Sequence, residues 1–143
     1  MLLVDDHVML RQGLRSIVTG YDHLNVVGEA SNGVEAIQLA GRLAPEVIVM
    51  DVNMPQLDGI EATRVLAGPG VPDPMAVVII TTFDLDELVF AALRAGARGF
   101  LLKDAGSELL AQAIRAAASG DALIAPNVTV RLLEALAAAA PTA

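Results

Sequence analysis

Four side chains of this sequence stand where they could handle a phosphoryl group. Asp5 and Asp6 follow the first short apolar run of the chain, Asp51 follows a later one, and Lys103 ends another. Carboxylate oxygens hold hard divalent cations, and an amine can neutralise the oxygens of a transferring phosphoryl group. These residue types predict a site for a cation and a phosphoryl group, provided that the fold brings them together.

The pattern around these residues predicts the fold that would do so. Short apolar runs alternate with longer segments of helical period, which is typical of a parallel α/β sheet. In an open parallel sheet, ligands bind at the carboxyl ends of the strands. The acids, Lys103 and also Thr81 fall at such ends, so we expect them to share one edge. The predicted strands are Leu2–Val4, Asn25–Gly28, Glu46–Met50, Ala76–Thr81 and Gly99–Leu102.

The C-terminal part of the chain has a different character. Residues 121–126 are expected to form a turn-like break, followed by one more helix from Val128 to about Ala139. That helix would carry Val130, Leu133 and Leu136 on one face. The alanine-rich tail that follows predicts the start of a linker.

Length and composition narrow the function classes. A chain of 143 residues fits one domain with its own core. Its net charge of −8 argues against a nucleic-acid-binding face within these residues. The absence of cysteine excludes disulfides, thiolate metal sites and cysteine nucleophiles. The apolar runs are far shorter than the roughly 20 residues of a membrane helix, and no signal-type segment is evident, so we expect a cytoplasmic domain without a membrane partner.

The acids themselves indicate a chemistry. Three clustered carboxylates repel one another, and a hard cation relieves that conflict. Oxygen ligands with retained waters suit Mg²⁺, which is therefore the expected cofactor. With the metal in place, one aspartate could attack phosphorus and form an aspartyl phosphate.

At these residues the chain resembles the receiver domain of two-component response regulators. The likeness extends over essentially the whole chain, and its pieces occur in the expected order. They are Val-Asp-Asp-His at residues 4–7, Asp51-Val-Asn-Met-Pro with Asp58-Gly59, Ile80-Thr81-Thr82, Ala95-Gly96-Ala97 and Gly99-Phe100-Leu-Leu-Lys103.

The resemblance implies a role for each acid of the site. Asp51 would be the phosphoacceptor. Asp6, Asp51 and the backbone carbonyl of Asn53 would bind Mg²⁺, and Asp5 would act nearby through water.

The resemblance also implies the switch. Thr81 would follow the phosphoryl group, Phe100 would swing with it, and Lys103 would pair with the phosphate. Thr82, beside the site, could affect access to it.

Further motifs resemble the NarL/FixJ type, whose output domain is LuxR-like. They are Asp-Asp-His, Gly28-Glu29-Ala30, the aspartate that follows Lys103 in place of the usual proline, and the trailing helix. The implied fold is a flavodoxin-like, doubly wound parallel sheet of five strands in the order 2-1-3-4-5, with an extra C-terminal helix. Residues 1–120 would form the receiver domain, and residues 121–143 would lead to a helix-turn-helix DNA-binding domain absent from this chain.

The implied partners are a sensor histidine kinase and, on phosphorylation, a second copy of the protein. DNA would be contacted only through the absent domain, in transcription regulation. The chain would be no enzyme beyond catalysing its own phosphorylation and dephosphorylation. Candidates for the dimer or kinase face, which we do not separate, are Leu10, Arg11, Leu14, Leu110 and Arg115.

Two other functions use a similar sheet. A phosphatase of the haloacid dehalogenase kind needs a second aspartate two residues after the nucleophile, where this chain has Asn53. A flavin- or nucleotide-binding module needs a phosphate-binding loop after the first strand, where Asp5-Asp6-His7 would repel phosphate unless a metal intervened.

Simpler roles are open for single residues. Asp5 and Asp6 could be helix N-caps, and Lys103 could be a solvated amine. Phe100 could be plain core, and His7 is better explained as a helix-start residue than as a ligand.

Overall fold

The computed structural model describes residues 1–22, 24–82, 86–124 and 126–139. Strands and helices alternate along these residues, as the sequence pattern predicts. The strands are β1 Leu2–Val4, β2 Gly28–Ala30, β3 Val47–Asp51, β4 Ala76–Thr81, β5 Gly99–Leu102 and β6 Leu123–Ile124. The helices are α1 Val8–Thr19, α2 Gly33–Leu43, α3 Gly59–Ala67, α4 Asp86–Arg94, α5 Ser107–Ala118 and α6 Pro126–Ala139.

The strands form one parallel sheet in the order β2-β1-β3-β4-β5-β6. The predicted order of the first five strands is therefore confirmed. The sixth, two-residue strand was not predicted: Leu123 and Ile124 pair with Gly99 and Phe100 inside the segment expected to be a turn-like break. Two residues are too few to show a period in the sequence, and only the neighbouring strand reveals them.

The second strand lies later than predicted. It comprises Gly28–Ala30, whereas the apolar pair Val26-Val27 favoured Asn25–Gly28. Val27 donates a backbone hydrogen bond to the carbonyl of Met1 (2.8 Å), but ladder pairing with β1 begins only where Gly28 lies opposite Leu2. As a consequence Glu29 lies opposite Leu3, one residue from the carboxyl end of the strand.

The centre of the sheet is covered on both faces. Every residue of β3 and β4 is buried, as expected for central parallel strands flanked by helices. Leucine, isoleucine, valine and alanine make up most of this core, and Phe100 is its largest fully buried side chain. The buried strands fix the positions of the polar residues at their carboxyl ends.

The last helix begins at Pro126, two residues earlier than predicted. Proline is favoured at the first helical position because its missing N–H would have no partner there. Val128 is 1% exposed, whereas Val130, Leu133 and Leu136 are 56%, 61% and 53% exposed. The predicted apolar face of α6 therefore faces solvent in this chain. The predicted linker lies outside the described residues from Ala140 onward.

No described helix combines the length and the apolar character needed to cross a bilayer.

Candidate phosphoacceptor and metal site

The structure brings the predicted acids together at the carboxyl edge of the sheet. Ligand atoms of Asp5, Asp6, His7 and Asp51 all lie within 4.8 Å of one another. Asp5 is fully buried and Asp51 is 4% exposed. We call this group, together with Lys103, the acidic edge. It arises because β1, β3 and β5 run parallel and end at the same side.

Lys103 joins the two buried acids. Its Nζ donates a hydrogen bond of 3.0 Å to Oδ2 of Asp5 and lies 3.3 Å from Oδ2 of Asp51. The side chain is only 17% exposed, so it is not a solvated amine. The backbone N–H of Lys103 donates to the carbonyl of Thr81 (2.8 Å), which fixes the turn after β5.

Asp51 sits in an environment that favours its protonated form. Burial raises the pKa of this carboxyl above its ordinary value. The positive charge of Lys103 opposes that rise, while the negative charge of Asp5 adds to it. Oδ1 of Asp51 accepts a hydrogen bond from the N–H of Val52 (2.8 Å), which orients the carboxylate. Further positive charge near this carboxylate would stabilise its anionic form.

The turn after β1 positions Asp5, Asp6 and His7. Oδ1 of Asp5 accepts a hydrogen bond from the N–H of His7 (2.9 Å). His7 is the N-cap residue of α1, without a side-chain capping bond, so neither aspartate occupies the N-cap position. Its Nδ1 lies 3.0 Å from Oδ1 of Asp6. That oxygen is buried and accepts no hydrogen bond from the described residues.

The donor set fits Mg²⁺. The carboxylates supply oxygen ligands, and Oδ1 of Asp6 is a buried acceptor that receives no hydrogen bond from the described residues, with Nδ1 of His7 3.0 Å away. Burial, the largest cause of the raised pKa of Asp51, likewise disfavours its bare anion. Asn53, whose carbonyl is a predicted ligand, is exposed in the loop two residues beyond β3, and its role stays a prediction.

The Asp58-Gly59 pair fixes the start of α3 against the acceptor. Asp58 is the N-cap, and its Oδ1 accepts from the N–H of Glu61 (2.9 Å). Gly59 donates to the carbonyl of Val52 (2.9 Å). A Cβ on Gly59 would lie 2.0 Å from the backbone oxygen of Asp51, so only glycine allows this approach.

The predicted switch residues lie at different depths. Thr81 is the buried last residue of β4 and pairs with Leu102 of β5. Thr82 is exposed and lines a shallow depression with Lys103. Phe100 is fully buried in the core. Their parts in a switch stay predictions.

Three of the five candidates for the dimer or kinase face, Leu10, Leu14 and Leu110, line a groove between α1 and the turn that precedes α5, while Arg11 and Arg115 do not line it; the role of this face stays a prediction. The groove has a volume of about 310 Å³ and is lined mostly by apolar side chains. Leu10 is 47% exposed, whereas Leu110 is 7% exposed and forms part of the floor. Arg115 is exposed and lies over the ring of Tyr21, 5.6 Å from its centroid.

Arg11 makes contacts that the sequence did not suggest. Its Nε donates to Oε1 of Glu29 (2.9 Å), and its Nη1 donates to the backbone carbonyl of Asp5 (2.6 Å). Arg15 pairs with the other oxygen of Glu29 (2.6 Å). Burial raises the pKa of Glu29, but its hydrogen bonds with Arg15 and Arg11 outweigh burial and hold that pKa below its ordinary value. The sequence did contain one signal for this contact: Arg11 and Arg15 are four residues apart on one helix, so they share a face and can pair with the same acid.

Comparison with known proteins agrees with this geometry. Residues 1–115 match the family described as the response regulator receiver domain. The chain is 38% identical over 133 residues to the transcriptional regulatory protein YdfI of Bacillus subtilis, covering 93% of this chain and 61% of that protein. It is also 38% identical over 137 residues to the nitrate/nitrite response regulator NarL of Escherichia coli K12, covering 96% and 62%.

A solved structure extends the likeness to three dimensions. The two-component response regulator of the LuxR family from Aurantimonas sp. SI85-9A1 superposes with a TM-score of 0.88 at 31% identity, covering 95% of this chain and 96% of that one. The chain spans about three fifths of the length of the two curated relatives. The chain belongs to the receiver domain family of two-component response regulators, and its relatives are of the NarL/LuxR type.

Proposed function

We propose that this receiver domain takes a phosphoryl group from a sensor histidine kinase onto Asp51. The observation that carries the proposal is Lys103, whose amine lies between the buried carboxylates of Asp5 and Asp51. A lysine and buried acids at the ends of parallel strands form a place for a phosphoryl group to be received and neutralised.

Phosphoryl transfer to Asp51 mainly requires that the reacting groups be positioned and their charges stabilised. A carboxylate oxygen of Asp51 attacks phosphorus while the bond from phosphorus to the imidazole nitrogen of the donor breaks, and the donor histidine leaves with that electron pair. The N–H of Val52 holds Oδ1 of Asp51 during the attack. Lys103, already 3.3 Å from Oδ2 of Asp51, then pairs with a phosphoryl oxygen.

Asp5, Asp6, Asp51 and the carbonyl of Asn53 would hold Mg²⁺. When bound, the ion supplies positive charge for the phosphoryl oxygens. Asp6 provides its buried, unbonded Oδ1, and Asp5 stays paired with Lys103 and acts through water.

The phosphorylated state would signal and would not turn over rapidly. Asn53 cannot act as the general acid that a phosphatase of the haloacid dehalogenase kind places there, so the aspartyl phosphate persists. The chain then catalyses only its own phosphorylation and dephosphorylation. Thr81 follows the phosphoryl group and Phe100 fills the space it leaves, which shifts the domain between two states that bind partners unequally.

We further propose that this shift controls dimerisation and transcription. The relatives are named as transcriptional regulators, and this chain spans only part of their length. DNA would be bound by a domain outside these residues, which fits the net charge of −8.

Acetyl phosphate with Mg²⁺ tests the chemistry. We expect intact-mass spectrometry to show a single added phosphate that resists acid and is released by hydroxylamine, and EDTA to prevent it. Asp51→Asn should remove the label. Asp58→Asn is the matched control, because asparagine caps a helix about as well as aspartate does. Label that survives Asp51→Asn, or that is lost in Asp58→Asn while the protein stays folded, would overturn the assignment.

A further inference from the structure

The backbone of Asp5 is held from two sides, at its N–H and at its carbonyl. The N–H of Asp5 donates to the carbonyl of Ala30 at the end of β2 (3.1 Å). The carbonyl of Asp5 accepts the 2.6 Å hydrogen bond from Nη1 of Arg11, on the first turns of α1. One anchor comes from the sheet, and the other comes from a side chain.

The arginine anchor acts directly on the two acids. A peptide unit is planar, so fixing the carbonyl of Asp5 also fixes the N–H of Asp6 and the positions of both α-carbons. Because the N–H of Asp5 is held as well, the backbone on both sides of the Asp5 α-carbon is restrained. Charge-assisted hydrogen bonds of this kind are among the stronger ones. Arg11 therefore restrains the backbone that carries both acids and is not itself a ligand.

Glu29 holds Arg11 in that position. The ion pair between them is partly buried, with the arginine side chain 15% exposed and the glutamate side chain 27% exposed. A guanidinium has the fork geometry to bond a carboxylate and a carbonyl at once, which an ammonium on a flexible stem reproduces poorly. Arg15 shares Glu29 but is 48% exposed and has no hydrogen bond to the turn after β1 among the described residues.

We propose that Arg11, braced by Glu29, is a positioning residue for the cation site: it orients the Asp5–Asp6 peptide so that Asp6 presents its carboxylate to Mg²⁺. This inference rests on the proposed function, since it concerns the metal of that site. It also gives Arg11 a role inside the domain, separate from the candidate dimer or kinase face.

A charge effect and a positioning effect of removing Arg11 would change the Mg²⁺ affinity in opposite directions. Through space, losing a positive charge near three carboxylates strengthens the binding of a cation. Losing the anchor weakens it, and partners that orient metal ligands typically contribute 10- to 100-fold to metal affinity. A weaker site after Arg11→Met can therefore not be a charge effect.

The experiment measures Mg²⁺ affinity by isothermal titration calorimetry for the wild type, Arg11→Met and Arg15→Met. Arg15→Met is the matched control because it also removes one positive charge and one ion-pair partner of Glu29, but leaves the hydrogen bond to the carbonyl of Asp5 in place. We expect Mg²⁺ to bind about tenfold more weakly to Arg11→Met, and to Arg15→Met as tightly as to the wild type or slightly more tightly. Backbone amide shifts of Asp5 and Asp6, read by NMR, should move only in Arg11→Met.

Urea unfolding of each variant separates positioning from stability. Arg11→Met that is destabilised but binds Mg²⁺ like Arg15→Met would overturn the inference, as would equal weakening in both variants. If Arg11→Met does not fold, Arg11→Lys keeps the charge and should still bind Mg²⁺ more weakly than the wild type; wild-type affinity there overturns the inference. A wild-type domain that binds no Mg²⁺ would instead overturn the proposed function.

Discussion

The acidic edge and the outer face of α6 each place side chains in surroundings that do not suit them, in opposite ways. At the edge, charged groups are buried: Asp5 is fully buried and Asp51 is 4% exposed. On α6, large apolar groups face solvent, with Leu133 61% exposed. Asp5 and Asp51 are compensated from within the chain, through Lys103 and backbone N–H groups. The helix face has no such compensation among the described residues.

That difference separates a site whose contacts come from the chain itself from a surface whose contacts do not. The acidic edge is specified by this chain's own strand ends and turns. The covering of the α6 face is not specified within the described part of the chain. If the comparison holds, substitutions at the edge change stability through close internal contacts, while substitutions on the α6 face barely change it.

The largest expected effect comes from closing the space beside Asp51. Gly59→Ala would place a Cβ 2.0 Å from the backbone oxygen of Asp51. We expect α3 to be displaced and the free energy of unfolding to fall by about 3 kcal/mol or more, in the range of severe overpacking. Urea denaturation followed by circular dichroism measures this change.

Gly41→Ala is its control within a helix. Nothing lies within 4 Å of a Cβ at that position of α2. The substitution should raise stability by about 0.5–1 kcal/mol, because alanine is the better helix former. If both variants lost similar amounts of unfolding free energy, the packing around Asp51 would be no closer than that on a helix surface.

A smaller effect should separate the two sides of α6. Val128 is 1% exposed, and Val130 on the same helix is 56% exposed. Val128→Ala should cost about 1–2 kcal/mol through lost burial. Val130→Ala should change stability by less than about 0.5 kcal/mol, since valine is exposed there and alanine favours a helix. Equal costs, measured by thermal unfolding, would show that the outer face is covered after all.

The smallest expected effect tests the charge at the edge. Folding raises the pKa of Asp51, so the folded state holds that proton more tightly than the unfolded chain. Below the ordinary value of 3.8 both states are protonated and the carboxyl costs nothing. As pH rises through the raised pKa, the folded state loses stability relative to a neutral variant.

Asp51→Asn should therefore be more stable than the wild type at pH 7 without metal. The gap should close as pH falls below about 4 and should shrink when Mg²⁺ is added. Urea titrations in EDTA across this pH range measure it. A variant less stable than the wild type at pH 7 would mean that pairing with Lys103 outweighs burial.

The sequence predicted the acidic edge because parallel topology alone brings strand ends together. Asp5, Asp51 and Lys103 are far apart in the chain, yet each follows an apolar run. Such uninterrupted apolar runs indicate buried parallel strands. The strand predictions failed where the pattern of apolar residues in the sequence did not reflect the backbone pairing of the sheet. Two-residue β6 had no pattern to detect, and Val26-Val27 looked more strand-like than Gly28–Ala30.

Side-chain networks were harder to predict than strand ends. Arg11 stood among the candidates for the dimer or kinase face because it lies on the first helix, which the resemblance to NarL-type receivers implied for that face. Its bonds to Glu29 and to the carbonyl of Asp5 depend on where β2 ends, which was misplaced in the prediction. Because the predicted strand ended at Gly28, Glu29 fell outside it, and its contact with Arg11 was not predicted.

The most direct test of the account locates the phosphoryl group on the chain. Borohydride reduces an acyl phosphate of aspartate to homoserine, which peptide mass spectrometry can locate after treatment with acetyl phosphate and Mg²⁺. We predict homoserine at position 51 and at no other aspartate. Homoserine at Asp5, Asp6 or Asp58, or its absence from a domain that carries phosphate, would contradict the claim that Asp51 is the acceptor.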